Sequence, residues 1–193
     1  MKVLFYISCM LLVYSVSAKP PKVKVETEEE KQFKEYVELY NDSQIFSAYI
    51  DSLVKTYNFC FSNDTDNVLV LRSDIIGKNN MIATYIDGTP ALMDFLLHTV
   101  RYPSISRENG VEGKAILKFM VREDGEICNV SVYKQQGIGL AEEAIRVLSL
   151  IKDKWKPAII NNQKVKSYVM FPITFKIQQF NNSTNLKLIK VWQ

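Results

Sequence analysis

The chain has 193 residues, 47% of them hydrophobic, and a formal charge of +3. It is long enough to bury a substantial core in one or two small domains. A charge this close to balance, without a basic patch interleaved with aromatics, gives no support to nucleic-acid binding.

Residues 1–18 carry one charge, Lys2, followed by the apolar run Val3 to Val13. That run is too short for a relaxed bilayer span, and Val16-Ser17-Ala18 places small or tolerated residues at a cleavage site. A secretory signal is expected, with an uncleaved inner-membrane anchor as the alternative. Cleavage leaves 23 basic against 21 acidic residues, a charge of +2. Tyr6-Ile7-Ser8 before Cys9 is a poor lipobox, because the apolar run continues past the cysteine. Residues 19–25, with Pro20-Pro21, read as a short extended linker.

Residues 26–81 read as a mostly helical region. Thr27 and Glu30 have capping-box spacing, and a helix is expected through Phe33, Tyr36, Val37 and Tyr40. Asn41-Asp42-Ser43 interrupts it. Ser43 is the expected cap of a second helix, where Ile45, Phe46, Tyr49, Ile50, Leu53, Val54 and Tyr57 make a broad apolar stripe. Such a stripe is more often a packing face than a ligand site. Asn67 to Leu71 reads as a short strand, 73–81 as loop, and Met81 to Ile86 as another strand.

The strongest local signal lies further on, within residues 82–178. Ala115, Leu117, Phe119 and Val121 alternate on one face of a strand, and Cys128, Val130 and Val132 on one face of the next. Asp124-Gly125 supplies the positive φ of a tight turn between them. Between Leu140 and Trp155, Ala144, Val147, Leu148 and Ile151 recur at helical spacing, and Pro157 stops the helix. Val169, Phe171, Ile173, Phe175 and Ile177 form the apolar face of a last strand. Pro172 within it cannot donate to a ladder, which marks an edge strand. Residues 179–193 are a tail that starts polar and ends sticky, with Leu186, Leu188, Ile189, Val191 and Trp192.

Catalytic chemistry is not evident. His98 is the only histidine, and it lies in an apolar-rich helix from Leu92 to Val100 as a partly exposed residue. One histidine and scattered carboxylates lack metal-ligand spacing. Gly137-Ile138-Gly139 lacks the third glycine of a nucleotide loop. Glu142-Glu143 opens a helix, where acids favour the dipole. No enzyme, metal or cofactor is expected. If Cys9 leaves with the signal, Cys60 and Cys128 remain. A disulfide between them is one reading, and a buried free thiol at Cys128 is the other.

One ordered series of fragments resembles a known family. Ile86-Asp87-Gly88-Thr89, Leu92 to Val100, Tyr102-Pro103, Gly110-Val111-Glu112-Gly113, Asp124-Gly125-Glu126-Ile127, Glu143-Ala144, Trp155-Lys156-Pro157 and Phe171-Pro172-Ile173-Thr174-Phe175 follow the order and spacing of the TonB C-terminal domain. The resemblance covers about half of the chain. It implies an α+β fold, a small antiparallel three-stranded sheet with two helices, here preceded by the mostly helical segment.

The resemblance also implies a function. TonB C-terminal domains capture an extended periplasmic segment of an outer-membrane receptor beside their last strand. Carried over, the contact residues are Tyr168, Val169, Met170, Phe171, Pro172, Ile173, Thr174 and Phe175, with Tyr102 and Pro103. Tyr102-Pro103 has a structural reading as well: Pro103 ends the preceding helix and Tyr102 packs under it. Gly113, Gly125 and Trp155 are assigned to the fold. Two features depart from energy transducers of the family, the short linker in place of a long proline-rich spacer and the lack of an anchor histidine. A periplasmic binding module linked to TonB-dependent transport is therefore the first expectation. A membrane-tethered transducer, or an envelope module that self-associates as a homodimer, are the alternatives. Its partner is an outer-membrane receptor or another envelope protein.

Overall fold

The computed structural model describes residues 31, 34, 37, 38, 42–65, 68–70, 80–180 and 183–185. Contacts divide the chain into residues 1–32 and 33–193, and the helices and strands from Ser43 onward all belong to the second unit. The expected signal, linker, Thr27–Glu30 capping box and the end of the tail lie outside the described residues, as does most of the 73–81 loop. Lys34, Val37 and Glu38 are helical. Helix α1 follows at Ser43–Thr56, one residue earlier than expected, because Asp42 rather than Ser43 is its cap. The Asp42 carboxylate accepts the N–H groups of Gln44 and Ile45 at 2.9 and 3.1 Å.

Three long strands make the sheet: β3 (Gly113–Val121), β4 (Ile127–Gln135) and β8 (Ser167–Phe175). β3 lies in the middle, antiparallel to both neighbours. This is the expected three-stranded antiparallel sheet. A short strand β1 (Leu69–Val70) adds a fourth member, parallel to the start of β8. The remaining strands form small pairs: β2 (Thr84–Tyr85) with β5 (Trp155–Lys156), β6 (Ala158–Ile160) with β7 (Gln163–Val165), and β9 (Gln178–Phe180) with β10 (Ser183–Asn185). Helix α2 spans Gly88–Thr99, α3 Ser104–Glu108 and α4 Leu140–Ser149.

The core follows from alternation. Ala115, Leu117, Phe119 and Val121 of β3 and Phe171, Ile173 and Phe175 of β8 are fully buried on one face of the sheet. Helix α4 packs on β3 and buries Leu140, Ala141, Ala144, Ile145, Val147 and Leu148, a broad stripe for three turns. Ile50, Val54 and Phe59, from α1 and its exit, join the same core, as do Leu92 and Leu96 of α2. Phe119, Trp155 and Phe171 meet edge-on, with ring centroids 5.1 to 6.3 Å apart, an arrangement aromatic quadrupoles favour.

Three local expectations are corrected. Helix α4 ends at Ser149, six residues before Trp155. The chain leaves the helix through turns at 150–153 because Trp155 is taken by a strand pair with Tyr85. The β3–β4 connection is a three-residue loop, not a two-residue turn. Gly125 N–H donates to the Arg122 carbonyl and Arg122 N–H to the Glu126 carbonyl, both at 3.0 Å. Asp124 keeps negative φ while Gly125 takes φ +92°, as a type I turn followed by a left-handed residue requires. Third, Cys128 does not share a face with Val130 and Val132. Asn129, at φ +54°, sits where the β3–β4 register shifts. The inserted residue leaves Ile127, Val130 and Val132 on the core side and turns Cys128 to the opposite side, where it pairs with Met120.

Gly125 has a second constraint beyond φ: a Cβ there would overlap the Trp155 carbonyl oxygen. Gly125→Val is expected to destabilise the protein by about 1 kcal/mol or more, read as a lower urea midpoint with an unchanged slope. An unchanged midpoint would mean that the loop and the Trp155 strand separate without cost.

Candidate functional site

An edge strand is a binding element because its unpaired N–H and C=O groups need partners. β8 pairs with β3 over all nine of its residues, from Gly113↔Phe175 to Val121↔Ser167. On its other side β1 covers only Ser167 and Tyr168. Among the described residues, 169–175 have no strand on that side.

The direction of the β8 backbone groups follows from one bond. Leu69 N–H donates to the Lys166 carbonyl at 3.1 Å. Alternate residues of a strand send their N–H and C=O to opposite edges. Residues 168, 170, 172 and 174 therefore aim at the outer edge, and 167, 169, 171, 173 and 175 at β3. Pro172 thus sits opposite Ile116 at a pair that exchanges no hydrogen bond with β3, and its missing N–H costs the ladder nothing. The sheet accepts proline in this strand for that reason.

The same parity divides the expected contact residues. Phe171, Ile173 and Phe175 are spent twice: their side chains are fully buried and their backbone groups face β3. Val169 packs against the core as well. These four hold the strand in place and offer a partner nothing directly, which narrows the expected set. Tyr168, Met170, Pro172 and Thr174 are half-buried on the outer face. Lysines neighbour them there. Lys118 lies opposite Met170 and Lys114 opposite Thr174, and Lys118 Nζ stands 4.1 Å from the Tyr168 ring centroid.

Tyr102 and Pro103 lie at the far end of this strand, tied into the fold. The Tyr102 hydroxyl donates to the Val111 carbonyl at 2.7 Å, and its ring meets Phe175 edge-on at 5.6 Å. Burial, and after it the nearby Glu112 carboxylate, hold its phenol above the usual range. Pro103 precedes α3 and packs so closely on Gly139 that a Cβ there would lie 2.9 Å from it. Glu112 also accepts the Ile177 N–H at 2.7 Å, fastening the chain just after β8.

Sequence reasoning missed one polar anchor of this region. Glu143 was readable only as a dipole-favouring acid. In the structure it accepts Arg101 N–H at 2.6 Å and two Arg146 donors at 2.7 and 2.8 Å, while Arg146 also donates to the Thr99 carbonyl at 2.9 Å. An acid and an arginine three apart on one helix were the available signal; their docking on the α2–α3 connection was not. His98 is exposed on α2, with Nδ1 2.8 Å from the Asp94 carbonyl and 3.5 Å from the Asp94 carboxylate of its own helix.

Among the described residues no helix is long and apolar enough to cross a membrane. No curated protein sequence matches the chain. Solved structures similar to it include two of one protein. The NMR solution structure of Helicobacter pylori TonB-CTD residues 179–285 is 20% identical with a TM-score of 0.38, covering 46% of this chain and 79% of that one. The NMR structure of its residues 194–285 is 17% identical with a TM-score of 0.35, covering 45% and 90%. Residues 98–177 match the family described as Gram-negative bacterial TonB protein C-terminal, a span that takes in β3, β4, α4 and β8. Over that span, the chain carries a member of the TonB C-terminal domain family.

Proposed function

We propose that this domain captures an extended segment of an outer-membrane TonB-dependent receptor on the outer edge of β8, on the periplasmic side, as a binding module of TonB-dependent transport. One observation carries the reading: the outward positions of β8 past Tyr168 have no strand partner among the described residues. The contact residues are Met170, Pro172 and Thr174 on that edge, with the side chain of Tyr168, whose backbone β1 already pairs, at its start. Tyr102 and Pro103 support its far end rather than grip the guest. Lys114 and Lys118 beside the edge favour a guest that carries acidic side chains on its solvent-facing side.

The family match supports the partner class, and the geometry supports strand addition as the mode. The test is titration of a fluorescent peptide, copied from the periplasmic segment of a receptor, into the full chain and its Met170→Pro and Thr174→Pro variants. Each proline removes an outward donor, as Pro172 already does, and leaves the β3 ladder intact. Each is expected to weaken binding by about tenfold, the value of a well-formed hydrogen bond, with the unfolding midpoint little changed. Equal affinity for all three chains would overturn strand addition at this edge. A stable homodimer that ignores the peptide would favour self-association instead.

A further inference from the structure

The residues after α1 form a strap over the hairpin end of the sheet. Cys60 makes a parallel bridge to Cys128 on the outer edge of β4, and Asn129 N–H donates to the Cys60 carbonyl at 2.9 Å. The Asn129 side chain extends the pairing like a further peptide unit. Its Oδ1 accepts Ser62 N–H and its Nδ2 donates to the Ser62 carbonyl, both at 2.9 Å. Further along, Asp64 pairs with Lys166, and Leu69 reaches β8 at the opposite edge.

The Asn129 bulge that removes Cys128 from the core face is what aims it at this strap. Cys128 is fully buried and Cys60 half-buried, both as free thiols. Their Sγ atoms and a Glu126 carboxylate oxygen lie within 4.8 Å of one another. Directly paired residues on neighbouring strands have Cα atoms about 4.8 Å apart, inside the range a disulfide spans.

We propose that Cys60 and Cys128 form a disulfide that fastens the strap to the hairpin. A small disulfide oxidant such as glutathione disulfide supplies the oxidation. The more accessible Cys60 attacks as thiolate, forming a mixed disulfide and releasing one glutathione thiol. The Cys128 sulfur then attacks the Cys60 sulfur, gives up its proton to solvent, and releases the second. Two protein thiols are oxidised and one disulfide is reduced to two thiols. Cys128 is the second sulfur to act because burial, then its hydrogen bond with Cys60 and the nearby Glu126, push its thiol well above the ordinary range despite Arg122.

The full chain with Cys9→Ser, which leaves only this pair of the three cysteines, is incubated with glutathione disulfide, denatured, alkylated and mapped by mass spectrometry. The expected result is one cross-linked peptide pair containing Cys60 and Cys128, lighter by two hydrogens, with no alkylation at either until reduction. Glutathione adducts resting on the separate cysteines, or both thiols alkylated without reductant, would overturn the proposal. So would a chain that resists oxidation while holding one equivalent of added Zn2+, since Cys60, Cys128 and Glu126 would then be ligands.

Discussion

Phe119→Ala is expected to destabilise the protein by about 3–5 kcal/mol, a large part of the 5–15 kcal/mol typical of a folded domain. Phe119 is fully buried on the central strand. Its ring is one corner of the triangle with Trp155 and Phe171, and α4 lies over the same strand. Truncation removes a whole ring from between elements that cannot close up. β3 is bonded to β4 and β8 on either side, so its backbone cannot move toward α4 without breaking two ladders. The cavity term therefore adds in full to the lost transfer term. Urea unfolding checks it: the midpoint should fall steeply in Phe119→Ala and by much less in Phe119→Leu. A shift under 1 kcal/mol in the alanine variant would mean that the aromatic triangle is not the centre of the core.

Gly113→Ala is the second large effect, expected at about 1–3 kcal/mol or above. Here the reason is not left-handed backbone. A single methyl at Gly113 would fall on the Gln136 carbonyl oxygen, and backbone cannot rotate aside as a flexible side chain does. Either the end of β4 lifts or the start of β3 does. Gly113 pairs with Phe175, so the displacement passes to the β8 end that Tyr102 supports. The thermal midpoint should drop by several degrees, as about 1 kcal/mol shifts it by about 2–8 °C. The Tyr102 fluorescence environment should change with it. A midpoint equal to that of the parent would show that Gln136 swings away freely.

Much of this fold was legible because its long elements obey simple periods. The alternation in 115–121 and 169–175 and the stripe from Ala144 to Leu148 each bury one continuous face, so period and burial coincide. The glycine at 125 and the close approach at 113 were readable from residue type. What escaped depended on events that shift a period or need a distant partner. One left-handed asparagine moved Cys128 to the other face. The hairpin of β6 and β7 went unread although Asn161-Asn162, with φ of +50° and +64°, is a pair suited to a type I′ turn. The strand at β1 was read from its apolar run, but its partner was not, because it joins β8 across almost a hundred residues of chain. At the candidate site Pro172 pointed to an edge strand, but β1 flanks the start of β8, and only the positions past Tyr168 have no strand beside them among the described residues. The residue-by-residue division between outward and inward backbone groups needed the single bond from Leu69 to Lys166.

That division has a consequence for alignment. A guest strand laid along β8 meets a ladder with one missing rung, because Pro172 offers a carbonyl but no donor. Whichever guest carbonyl comes to rest there goes without its partner, at a cost of about 1–3 kcal/mol if it is shut away from water. Sliding the guest by two residues moves that cost to a different carbonyl. A guest whose own sequence opens to solvent at one position, or bends there, has a single best placement. The proline then works as an index mark, turning a uniform edge into one that distinguishes a guest in register from the same guest displaced.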